Sequence, residues 1–133
     1  MPIVRIDIRS GKSTEYKRAV LHGVRAALTG ALGAANERIM QRIIETPAED
    51  IDITASHSDA LTIVEVAMLP GRGPDLKAKL YEAIVANLGN DPGIHAKDIM
   101  VIVNDPSAEC FAIGGVMQCN LGEEPGTDED DEV

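Results

Sequence analysis

Displaced by 60 residues, the chain partly overlays itself without a gap. Ile3-Val4 falls on Ile63-Val64, Gly11 on Gly71, Lys17 on Lys77, Ala26 on Ala86 and Leu28 on Leu88. Gly33 then meets Gly93, and Ile39-Met40 meets Ile99-Met100. A duplication constrains the fold more than composition does, because each copy must be one supersecondary unit that cannot bury its apolar face alone. Two copies are too few for a solenoid. They predict one duplicated unit.

Each unit reads as strand, helix, strand. In PIVRIDI, Val4, Ile6 and Ile8 alternate with Ile3, Arg5 and Asp7, the period of a strand with one strongly apolar face. Ser13 is placed to cap a helix with Glu15 in its first turn. Tyr16, Val20, Val24, Leu28 and Leu32 recur every four residues, Ala27 and Ala31 fill in, and Gly33 marks the end. RIMQRII at 38–44 is the second strand. The second copy repeats this with TIVEVAM at 62–68 and a helix opened by Pro74. Its stripe is Leu76, Leu80, Ile84 and Leu88, its stop is Gly89, and its second strand is DIMVIV at 98–103. A strand-helix-strand crossover lays its two strands parallel in one sheet. The expectation is an α+β fold, a four-stranded sheet with two helices on one face. Its repeats span about 2–46 and 62–106, within a single domain of about 1–120. The other sheet face also carries apolar residues, which calls for burial by other copies.

Charge excludes more than it assigns. The formal net charge is −10, but EEPGTDEDDEV at the end holds seven acidic and no basic residues. The remainder has 12 basic and 15 acidic residues. The segment 121–133 reads as a solvated, disordered tail. An acidic body with such a tail argues against nucleic acid as a partner, whose affinity depends on Lys and Arg. No apolar run approaches the ~20 residues of a membrane helix, and no signal peptide is visible, so no membrane partner is expected and a cytoplasmic location is the default. Cys110 and Cys119 have eight residues between them and no paired CxxC, and His22, His57 and His95 are scattered, so neither metal nor cofactor is expected.

The proline behind Met1 has two readings. It starts a strand, one of the few comfortable places for proline in a sheet. With Met1 removed, its nitrogen is also a free secondary amine. A free α-amine has a pKa of about 7.7–8.0 in model peptides. An apolar pocket or a nearby arginine would lower it, and an amine so placed can act as a general base close to neutral pH.

A strand-helix-strand unit of roughly 60 residues beginning with Pro after Met resembles the tautomerase superfamily, in particular its fused-repeat branch around malonate semialdehyde decarboxylase. The motifs that carry the resemblance are NER at 36–38, GRGPDLK at 71–77, and Asn104 followed by CFAIG at 110–114. The resemblance implies that the second repeat is related to the first by a pseudo two-fold axis. Pro2, Glu37, Arg72 and the segment 105–115 then converge at one end of the sheet. It implies catalytic roles for Pro2, Glu37 and Arg72, substrate contacts from Arg38 and Phe111, and a homotrimer with its sheets facing a central barrel. The substrate class is a small carboxylate-bearing molecule, which the planar fork of Arg72 suits. At the pseudo-equivalent position Thr62 offers no amine.

The chain also departs from that branch. Arg72 stands alone where the branch has two arginines, and Glu109 stands where it has an aromatic. Ala112 matches the acidic position of the related dehalogenases. Keto-enol tautomerisation of a small oxo-acid needs the fewest special groups and is the first expectation. A decarboxylase or hydratase of a small oxo-acid such as malonate semialdehyde is the alternative. A noncatalytic oligomeric scaffold is the third.

Overall fold

The computed structural model describes residues 2–118; the acidic tail and Cys119 lie outside the described residues. The first repeat is β1 (Ile3–Arg9), α1 (Thr14–Leu32) and β2 (Met40–Thr46), and the second is β3 (Thr62–Ala67), α2 (Pro74–Asn90) and β4 (Ile99–Asn104). Each crossover makes its strands parallel, β1 with β2 and β3 with β4. β1 and β3 pair antiparallel at the centre, giving the order β2-β1-β3-β4. The result is the expected α+β architecture. A small hairpin of β5 (Ala112–Ile113) and β6 (Val116–Met117) follows, beginning within the segment 105–115, where the sequence analysis placed no strand.

The duplication extends to single bonds. Lys17 Nζ meets Glu45 Oε2 at 2.6 Å, and Lys77 Nζ, one repeat later, meets Asp105 Oδ2 at 2.7 Å. The turns before β2 and β4 also match: Arg38 N–H donates to Ala35 O and Asp98 N–H to His95 O, both at 2.9 Å. Each lysine ties its helix to the far end of the unit's second strand. These pairs are half-exposed, so they fix geometry more than they add stability.

Local chemistry explains the helix ends. Ser13 Oγ accepts the Tyr16 N–H at 3.0 Å, the cap predicted from sequence. Gly33 closes α1 in the left-handed region at φ 67°, with its N–H and that of Ala34 returned to Thr29 O and Leu28 O. Pro74 opens α2. The strand ends shift by one or two residues from expectation, and two boundaries have a plain local cause. β2 begins at Met40 rather than residue 38, because Asn36–Arg38 form a 3₁₀ turn. α2 passes through Gly89 to Asn90. What stops it is Asp91, extended at φ −159° and ψ 117°, since the residue ahead of a proline is steered out of the helical region.

The core lies between the helices and one sheet face. Val4, Ile6 and Ile8 of β1 and Val64 and Val66 of β3 meet Val20, Val24 and Leu28 of α1 and Leu80, Ile84 and Leu88 of α2. Burying each such side chain contributes roughly 1.5–3 kcal/mol. The helices touch at Gly23, where an added Cβ would stand 2.9 Å from Leu88 Cδ2 and 3.3 Å from Asn87 Cβ. Leu76, placed in the stripe by its spacing, is 39% exposed at the start of α2, ahead of the contact with α1.

The opposite sheet face has no covering layer among the described residues. Register puts Met40, Ile3, Ala67 and Asn104 in one row and Ile44, Asp7, Ile63 and Met100 in another. Between them lie Arg42, Arg5, Glu65 and Ile102. Met40 is 68% exposed, Met100 44% and Ile102 42%. Arg5 grips Asp7 with two hydrogen bonds, 3.1 and 3.2 Å, so part of the charge on this face is already paired.

Candidate active site

Strand direction sets which residues can meet. Pro2 is buried at the start of β1, and its carbonyl accepts the Met40 N–H at 3.1 Å. The turn carrying Glu37 and Arg38 therefore lies beside Pro2. Because β3 is antiparallel to β1, Ile3 faces Ala67, and the chain then runs through Met68 toward Arg72. Ala67 pairs in turn with Asn104, and Met68 N–H donates to Asn104 O at 3.0 Å. Pro2 thus lies between the turn carrying Glu37 and the segment leading to Arg72, with the segment leading to Phe111 one strand further on. The start of β1, the turn before β2 and the ends of β3 and β4 lie at one end of the sheet.

The side chains differ in setting. Glu37 and Arg38 are exposed and make no side-chain hydrogen bond or ion pair among the described residues, so the simple pairing of one with the other is not formed. Arg72 is half-buried in the Gly71–Gly73 turn ahead of α2. Phe111 is half-buried between a 3₁₀ turn at Ala108–Cys110 and β5, with its carbonyl accepting from Gln118 N–H at 2.9 Å. The Lys77–Asp105 pair holds the start of this closing segment to α2.

One residue had no signal in the sequence. Arg25, on α1, donates from Nη1 to Asn36 O at 2.7 Å and to Asn36 Oδ1 at 2.9 Å, and from Nη2 to Ile39 O at 3.0 Å. All three bonds go to the turn that bears Glu37 and Arg38. An arginine beside an apolar stripe reads from sequence as a solvated edge residue, so only the fold reveals the clamp.

The Thr62 end is a different environment. The 60-residue offset places Thr62 for Pro2, Lys97 for Glu37, Asp98 for Arg38 and Lys12 for Arg72. Charge is inverted at two of the four positions. The linker before β3 also closes this end: Ser58 donates to Asp98 through Oγ at 2.6 Å and N–H at 2.8 Å, and Thr62 Oγ1 donates to Ala60 O at 2.9 Å. Asp98 is 2% exposed and Thr62 fully buried. Burial pushes the phenol of Tyr16 above its ordinary value, and its hydroxyl, lying toward Thr62, closes no hydrogen bond of good geometry.

The Ser58 bonds, the side-chain one foremost, hold the Asp98 carboxyl below its ordinary value. A carboxylate depressed in the folded state adds stability that is full above its unfolded pKa and lost as pH falls through the folded one. Asp98→Asn should cost about 1–3 kcal/mol at neutral pH and flatten the fall of Tm below about pH 4. Thermal melts of both proteins from pH 2 to 7 test this, and parallel acid slopes would refute it.

Family comparison agrees with the geometry. Two profiles described as tautomerase enzyme match, one over residues 2–54 and the other over 40–114. No curated protein sequence matches the chain at a significant level. Among solved structures, native fused 4-OT superposes with a TM-score of 0.79 at 18% identity, over 86% of this chain and 94% of its own. Malonate semialdehyde decarboxylase, whose structures address decarboxylase and hydratase activities, gives 0.77 at 19% identity over 84% and 90%. A second malonate semialdehyde decarboxylase, inhibited by 3-bromopropiolate, gives 0.76 at 24% over 84% and 88%. With profiles matching each half, and with ion pairs and turns repeated 60 residues apart, the chain belongs to the tautomerase superfamily as a fused-repeat member.

Proposed function

We propose that the protein is an isomerase that interconverts the enol and keto forms of a small oxo-acid, with the amine of Pro2 as general base after removal of Met1. The observation that carries this reading is the register that sets Pro2 beside the turn of Glu37 and at the same end of the sheet as the ends of β3 and β4, from which the chain runs on to Arg72 and Phe111. In the ketonising direction the amine takes the enol hydroxyl proton and returns a proton to the carbon, so no electron, proton or cofactor is consumed. Arg72 holds the substrate carboxylate in a two-point grip. Glu37 polarises the substrate or orients a water, Arg38 adds positive charge beside the carboxylate, and Phe111 supplies an apolar wall.

The test is enol ketonisation and carbon dioxide release, both measured on one preparation whose intact mass shows Pro2 at the N-terminus. Ketonisation should be the faster. The second reading, a decarboxylase or hydratase, is favoured by the likeness to malonate semialdehyde decarboxylase. It asks the site to stabilise a departing carboxylate and an enolate together with one arginine. Faster carbon dioxide release would establish the decarboxylase, addition of water without it the hydratase, and no turnover on any enol or oxo-acid would leave a noncatalytic scaffold.

Assembly is part of the same reading. The bare sheet face needs a cover, and several fused 4-OT structures of the same fold are trimers. Second and third copies of this chain are the proposed cover. Replacing Met100 and Ile102 together by Glu, at positions 44% and 42% exposed in the single chain, should leave the fold intact and shift sedimentation from trimer to monomer. An unchanged sedimentation coefficient, or a wild-type monomer at micromolar concentration, would show that this face is not the interface.

A further inference from the structure

We infer that Arg25 is a positioning residue of the Pro2 site, acting through the turn that presents Glu37 and Arg38; as a statement about catalysis this rests on the proposed isomerase reading. The turn is exposed and short, three residues of 3₁₀ helix with no side-chain cap of its own. A segment of that kind samples many orientations unless something outside it fixes them. Arg25 does so from α1 with three hydrogen bonds to two residues, Asn36 and Ile39, that bracket Glu37 and Arg38. The guanidinium suits the task because its donors lie in one rigid plane, whereas a lysine ammonium is a point charge that cannot span the same acceptors in fixed geometry.

The duplication supplies an internal control. The counterpart of Arg25 in the second repeat is Val85, whose side chain has no donor. The corresponding turn, Ala96–Asp98, is held by other means: His95 Nδ1 accepts from Lys97 N–H at 3.2 Å, and Ser58 grips Asp98 from the linker. That arrangement consumes the turn's own carboxylate. The Arg25 clamp instead uses backbone oxygens and the Asn36 amide, so the Glu37 and Arg38 side chains stay available to a ligand. Among the described residues the clamp is present only at the end of the sheet that carries Pro2.

Two measurements on the full chain test this. Hydrogen exchange should show the amides of Arg38 and Ile39, which bond Ala35 O and Asn36 O, exchanging at least ~10-fold faster in Arg25→Ala, with Arg25→Lys intermediate, while the β1 and β3 amides stay protected. In ketonisation, Arg25→Ala should lower kcat by about 10-fold or more with a smaller change in KM, the signature of lost orientation. Combined with Glu37→Gln, the two losses should be clearly less than multiplicative, because both act through one carboxylate. Wild-type protection of the turn in Arg25→Ala, or fully multiplicative losses, would overturn the assignment. If the wild-type protein turned over no enol, the isomerase reading would fail, and the exchange data would still decide whether Arg25 holds the turn.

Discussion

Acetylating the Pro2 nitrogen, or retaining Met1, should lower ketonisation by about 10²–10⁴-fold, the contribution of a positioned general base, with little effect on Tm. An amide nitrogen has no basic lone pair, so the proton shuttle is removed while the start of β1 is otherwise kept. The fold tolerates this because the Met40 N–H bonds the Pro2 carbonyl rather than its nitrogen. Pro2→Ala is the milder test. It leaves a primary amine that is less rigidly placed, and residual activity should survive. The pH profile separates the two mechanisms of loss. A wild-type limb near neutrality should vanish in the acetylated protein and persist, displaced, in Pro2→Ala. Full activity with the nitrogen blocked would rule out the amine as base, wherever else the substrate binds.

Arg72→Ala should reduce kcat/KM by about 10²-fold or more, the scale on which lost substrate orientation is felt. The side chain sits half-buried in a turn with glycine on either side, between β3 and α2, at the same end of the sheet as Pro2. Arg72→Lys should recover only part of the loss, since a point charge replaces a planar fork at a bidentate carboxylate. The loss should also shrink for an analogue in which an ester replaces the carboxylate. Equal losses with acid and ester would mean that Arg72 supports the turn rather than the ligand. Lys12→Ala, the same change at the Thr62 end, should leave ketonisation unchanged.

The local elements were legible because their causes are local. Alternation in PIVRIDI, the Ser13 cap, Pro74 at the start of α2 and the four-residue stripes each act within a few residues, and each reappears in the structure. Where a boundary slipped, at Gly89 or residue 38, a competing local rule operated: the restriction ahead of Pro92 in one case, a 3₁₀ turn in the other. The 60-residue repeat went further and determined the unit, its parallel strand pairs, and even the spacing of the two lysine–carboxylate pairs. Periodicity had no means of choosing which strands of the two units lie side by side. β1 and β3 carry the same alternation, and either edge satisfies it. Their antiparallel union, anticipated only through the family resemblance, comes from long-range pairing, and it brings the Arg72 segment to Pro2. The tertiary structure alone decided the contacts made across such distances. Arg25 reaches a turn eleven residues away only because α1 packs over the start of β2, and Ser58 reaches Asp98, forty residues on, only because the linker folds back across the Thr62 end. A side chain's partner depends on where the chain returns in space. The two ends of a nearly symmetric sheet were therefore made different by contacts that no window of sequence contains.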